Sequence, residues 1–250
     1  MTDERSPFGM RLWRLLAHRR PTVATTVEEM VLRTASVAGV GEAELQAVVD
    51  GAVPSGELME RLAPVLNIPL ADLYVIAGLP VPLGEASAWP TKPWDVGYLL
   101  RQVAPLSRER IAELGELIRA MPVEPRTEPA PADGFPESPG ALLVRLAKNR
   151  NIKPHNAWVM RKIAGGPYVS DSTIWSLGAG RVVVTPLYVT AFAHLLGYDP
   201  ADMVALAGVG PVVENARPVP EHAALAALAC DARRLTGDQI RQVLDAAGVR

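Results

Sequence analysis

The amino-acid sequence predicts an all-α protein built as two tandem five-helix bundles, each followed by a helical pair. Three observations predict it. Apolar residues recur at three- and four-residue spacing in short segments, while alternating β-branched runs are nearly absent. The 23 prolines fall mostly between those segments, as joints. The order of segments in the first half returns in the second, displaced by about 130 positions.

From Phe8 to Arg20, Met10, Leu12, Trp13, Leu15, Leu16 and Ala17 make one apolar face, which leaves Arg11, Arg14, Arg19 and Arg20 for solvent or phosphate. Thr26 and Glu29 form a capping box that starts a second helix, running to about Thr34. Gly41 to Asp50 is a third short helix. Ser55 caps a fourth, and Pro69 opens a fifth that ends at Gly78.

The second half repeats this plan. Pro139 to Arg150 and Pro154 to Ala164 match the first two helices. Tyr168 to Arg181 matches the third, with an N-cap at Ser170 or Asp171, apolar Val169, Ile174 and Leu177, and Gly178 and Gly180 as stops. Thr185-Pro186 and Asp199-Pro200 start the fourth and fifth. Ala71-Asp72 with Ala77-Gly78 returns as Ala201-Asp202 with Ala207-Gly208. Leu106-Ser107, leading to Ile111 and Leu114, returns as Leu235-Thr236, leading to Ile240 and Val243.

The resulting division is a first bundle at 8–82, a helical pair at 94–121, a Pro-rich linker at 122–138, a second bundle at 139–212 and a second helical pair at 219–250. Leu99, Leu100, Ile111 and Leu114 exceed what a lone hairpin buries, so the pairs are expected to pack on their own bundle or to mediate dimerisation.

With one cysteine, Cys230, the chain has neither an internal disulfide nor a thiolate metal site. His18, His155, His194 and His222 are scattered, without a nucleophile or ligand at motif spacing, and no phosphate loop or HExxH occurs. No catalytic residue, cofactor or metal is therefore expected. The acidic start and the lack of a spanning apolar run predict a cytoplasmic protein with no membrane association. Arginine greatly outnumbers the four lysines, and Ala, Val, Gly and Pro abound, a bias that fits a GC-rich bacterial genome.

Each five-helix unit resembles a lambda-repressor-like, Xre-type helix-turn-helix domain, and the stretch from Val169 to Gly208 carries the resemblance most closely. There the capped short helix, glycine-containing loop, Thr-Pro start, Leu-Leu-Gly end and Asp-Pro-Ala-Asp helix follow in family order. The family's usual turn is one glycine and one apolar residue, whereas Gly165-Gly166-Pro167-Tyr168-Val169 is longer by about three. The family's phosphate-touching Gln at the start of the second helix has no counterpart around Ala157.

The resemblance implies double-stranded DNA as partner and a role in transcription regulation. Ser170, Asp171, Ser172, Thr173, Trp175 and Ser176 would face bases, and Lys153, Arg161, Lys162 and Arg181 would meet phosphates. Hydroxyls discriminate bases weakly, and the helix lacks the Arg, Asn or Gln of bidentate readout.

Charge separates the copies. From 138 to 212, seven basic side chains oppose three acidic ones, while from 8 to 82 six oppose eight. Glu42 and Glu44 begin the first copy's third helix, where a phosphate-lined groove would repel them. The second copy is thus the expected DNA reader, docked in tandem with the first or paired with its equivalent in a homodimer. The alternative is a protein-interaction adaptor, with the first copy and Trp89, Trp94 and Trp175 as contact points.

Overall fold

Hydroxyl and carboxylate side chains set many of the helix starts. In the computed structural model, which describes residues 7–88, 91, 95–124, 133–153, 157–211 and 216–249, side-chain oxygens of Thr26, Ser55, Asp95, Ser107, Ser138, Ser170 and Thr236 each accept a hydrogen bond from a first-turn amide. The Thr26–Glu29 capping box is present, and Thr236 forms a second with Gln239. The described residues form fourteen helices and no strand. They divide between two compact units, Met1–Val81 with Ala205–Gly208, and Pro82–Val204 with Val209–Arg250.

The first unit contains α1 (Pro7–His18), α2 (Val27–Ala38), α3 (Glu42–Val49), α4 (Gly56–Leu66) and α5 (Leu70–Ala77). Helix α3 packs on α1 and α2, and α4 lies against α2 and α5. Phe8, Leu12, Leu16, Leu45, Val49, Met59, Leu62 and Leu73 fill the core. Gly9 lets α1 meet the end of α3, since a Cβ there would come within 2.4 Å of the Val49 carbonyl oxygen. Arg11, expected at the surface, is buried instead. Its guanidinium donates to the Ile76 carbonyl at 2.7 Å, satisfying an acceptor in the last turn of α5.

The second unit begins with α6 (Val96–Val103) and α7 (Arg108–Ala120), and ends with α13 (His222–Ala232) and α14 (Gly237–Ala246). These two helical pairs, far apart in sequence, pack on each other: α7 lies along α13, and α14 touches α6 and α7. Leu99, Leu100, Ile111 and Leu114, whose burial was expected on the first bundle or in a dimer, are buried within this four-helix cluster. Arg119 joins Asp231, and the Gln239 amide donates to the Pro122 carbonyl at 2.8 Å.

Between the pairs run α8 (Pro139–Asn149), α9 (Trp158–Lys162), α10 (Asp171–Gly178), α11 (Pro186–Leu196) and α12 (Pro200–Ala207), the last residues of α12 being assigned to the first unit. Helix α9 covers less than the expected Pro154–Ala164. Pro154 and His155, like Trp89 and Trp94, lie outside the described residues. Helix α11 packs on α13, and α9 on α6, so this bundle and the four-helix cluster share one core.

Candidate nucleic-acid interface

Helix α10 is built from its cap inward. Ser170, in extended conformation, accepts from the Thr173 amide at 3.3 Å, and its hydroxyl lies 2.8 Å from that of Ser172 and 2.9 Å from that of Thr173. Ile174 and Leu177 point into the core, as the spacing predicts. Gly140 brings α8 against the end of α10, because a Cβ there would stand 2.1 Å from the Leu177 carbonyl oxygen. Gly9 plays the corresponding part in the first unit, so α1 against α3 and α8 against α10 share one kind of close approach. The Arg181 amide closes α10 by donating to the Ser176 carbonyl at 2.9 Å, with Gly180 left-handed at φ 69°.

Of the residues expected to face bases, Ser170, Asp171, Ser172 and Trp175 are exposed, while Thr173 and Ser176 are half-buried. Asp171 has a structural engagement as well. Its carboxylate accepts from the Ala157 amide at 3.2 Å, tying the start of α10 to the residue before α9. The acidic residue at the head of α10 thereby has a role that no base is needed to explain.

Among the expected phosphate contacts, Arg161, Lys162 and Arg181 are exposed. Lys153 is not: 7 % exposed, it pairs at 3.2 Å with the buried carboxylate of Asp95 and donates to the Thr91 carbonyl. Burial beside a carboxylate removes it from any surface that could meet DNA. Asn151 and the Thr91 hydroxyl complete this buried polar cluster.

The long turn between α9 and α10 has a physical reason. The segment Ala216–Val219 crosses it, with the Val219 amide donating to the Ile163 carbonyl at 3.0 Å. Gly165, at φ 68°, lies so close to Arg217 that a Cβ would come within 2.2 Å of its backbone. His194 Nδ1 donates to the Ala164 carbonyl at 3.1 Å and His222 Nδ1 to the Val219 carbonyl at 2.9 Å, with ring centroids 5.1 Å apart.

Burial lowers the His194 pKa, outweighing the opposing hydrogen bond to Ala164, and His222 lowers it further. The folded chain thus favours neutral His194. Below the unfolded imidazole value of about 6.5 the unfolded state binds more protons. This contribution is full above that value and is lost as pH falls toward the folded pKa. Thermal melts from pH 7.5 to 5 should show a falling midpoint, with a shallower slope in His194→Gln.

Two features escaped sequence reading. Phe135, a lone aromatic in the Pro-rich linker, is buried against Gly178 and meets Trp175 edge-on, with centroids 5.0 Å apart. Arg145 anchors that end of the linker to α8 through Asp133 at 3.2 Å, Glu137 at 2.9 Å and the Phe135 carbonyl at 2.7 Å. Burial would raise the Asp133 carboxyl, but the Phe135 amide, Arg145 and Lys148 together hold it below its ordinary value. The isolated aromatic between prolines was the available signal.

The first copy joins α2 to α3 through the short turn Gly39-Val40-Gly41. Its α3 exposes Glu42, Ala43, Glu44 and Ala47, and Glu44 accepts from the Ser55 hydroxyl at 3.3 Å. No helix among the described residues is long and apolar enough to cross a membrane. Comparison of the chain with protein-family models, curated proteins and solved structures found no match.

Proposed function

We propose that this chain is a DNA-binding transcriptional regulator, a divergent relative of the lambda-repressor-like helix-turn-helix proteins, whose second copy meets the major groove with α10. One observation carries the reading: the capped, hydroxyl-rich start of α10 is exposed on a bundle that also exposes Arg161, Lys162 and Arg181. Phosphates supply most of the affinity of such a surface, and the serines tolerate several base edges. The protein acts in the cytoplasm, associated with the nucleoid when bound, either as tandem copies on one duplex or as a homodimer on a palindrome.

Binding to pooled genomic fragments at two salt concentrations tests this. A few sites should be enriched and weakened by salt, and Lys162→Glu/Arg181→Glu should bind them much more weakly, with the slope of log affinity against log salt shallower by about 2. No retention at low salt overturns it.

A second reading, a protein-interaction adaptor, is favoured by the acidic first copy together with the missing bidentate readers and the lengthened turn before α10. The first copy's third helix exposes Glu42 and Glu44, and exposed Val37 and Val53 flank that helix in sequence, a surface suited to a basic protein segment rather than to phosphate.

A further inference from the structure

Aromatic side chains make up 5 % of this chain, yet two stand exposed on the turn and third helix of the second bundle. Tyr168 is 81 % exposed and Trp175 is 50 % exposed. Rings of this size normally contribute most when buried, so their exposure here gains the fold little. Neither is loosely held. The Arg161 guanidinium lies over the Tyr168 ring at 5.0 Å, and Phe135 meets Trp175 edge-on. Even with Arg161 beside it, the Tyr168 ring keeps most of its surface exposed, available to a flat partner.

The surroundings indicate which flat partner fits. Arg161, Lys162 and Arg181 are exposed and suit phosphates, and the Ser170, Ser172 and Thr173 hydroxyls lie between the two aromatics in sequence. The helix lacks the side chains that read paired bases by their edges, while an open ring face stacks on any base without regard to sequence. In an intact duplex the faces of the bases are covered by their neighbours, so such a ring reaches one only where the stack is open. The short turn of the first copy, Gly39-Val40-Gly41, offers no aromatic.

Resting on the DNA-binding function proposed above, we infer that the second bundle binds an unpaired nucleobase stacked on Tyr168, with Trp175 as a further apolar contact. DNA carrying an open or bubbled segment is therefore preferred to perfect duplex.

The test is an anisotropy titration of the full chain against a duplex, the same duplex with an internal bubble, and the single strand, with 2-aminopurine at an unpaired position as second readout. The bubble should bind about tenfold or more tighter than the duplex, with 2-aminopurine fluorescence quenched. Tyr168→Ala should lose the preference and the quench while keeping duplex binding, and Tyr168→Phe should keep all three. The exposure of Tyr168 makes misfolding of these variants a small concern, and matching thermal melts check it. Equal binding of bubble and duplex, or an unchanged preference in Tyr168→Ala, overturns the stacking site and leaves DNA binding standing. Failure to bind any of the DNAs overturns both.

Discussion

Lys153→Met is expected to destabilise the second unit by about 3–5 kcal/mol, because it takes the Lys153 ammonium from beside the buried Asp95 carboxylate. Asp95 is 2 % exposed and also caps α6 through the Tyr98 amide at 2.7 Å, so it cannot simply turn to water. Adding Asp95→Asn should recover much of the loss, since a neutral amide keeps the cap and needs no counter-charge. Denaturant unfolding of the two variants measures both values. If Lys153 instead served DNA, Lys153→Met would leave the midpoint unchanged and weaken DNA binding. On the structure the reverse is expected at temperatures where the variant is folded.

Gly140→Ala should be nearly as damaging, about 1–3 kcal/mol and more if the backbone cannot shift. The added methyl would meet the Leu177 carbonyl at 2.1 Å, and that oxygen belongs to the end of α10 rather than to a flexible side chain. Helix α10 would be pushed from α8, and the DNA binding proposed for α10 would weaken along with stability. Gly9→Ala should destabilise the first unit in the same way, whereas Gly84→Ala, with nothing within 4 Å of its Cβ, should be neutral. Comparing the three midpoints tests whether the chain uses one packing device twice.

Helix starts and apolar faces were legible in the sequence because their causes are local. A cap at Thr26, Ser55 or Ser170 depends on an amide three positions on, and the stripe of Ile174 and Leu177 on residues within one turn. The helical order was legible for the same reason, since each half of the chain carries the same local signals in the same order. The exposed members of the candidate interface, Arg161, Lys162 and Arg181, follow from their places at the ends of α9 and α10. The fates of Lys153, Arg11 and Asp171 do not. Each depends on a partner brought close by folding, Asp95, the Ile76 carbonyl and the Ala157 amide respectively.

The same holds for the helical pairs, whose apolar faces announce burial without naming what covers them; α7 lies along α13, more than a hundred positions away. Patterning along a chain records how much surface must leave water, and capping records where a helix can begin. Which surfaces meet, and which charged groups are stripped of water and must find a partner, is set by packing in three dimensions, where desolvation decides whether a lysine is a phosphate contact or half of a buried ion pair.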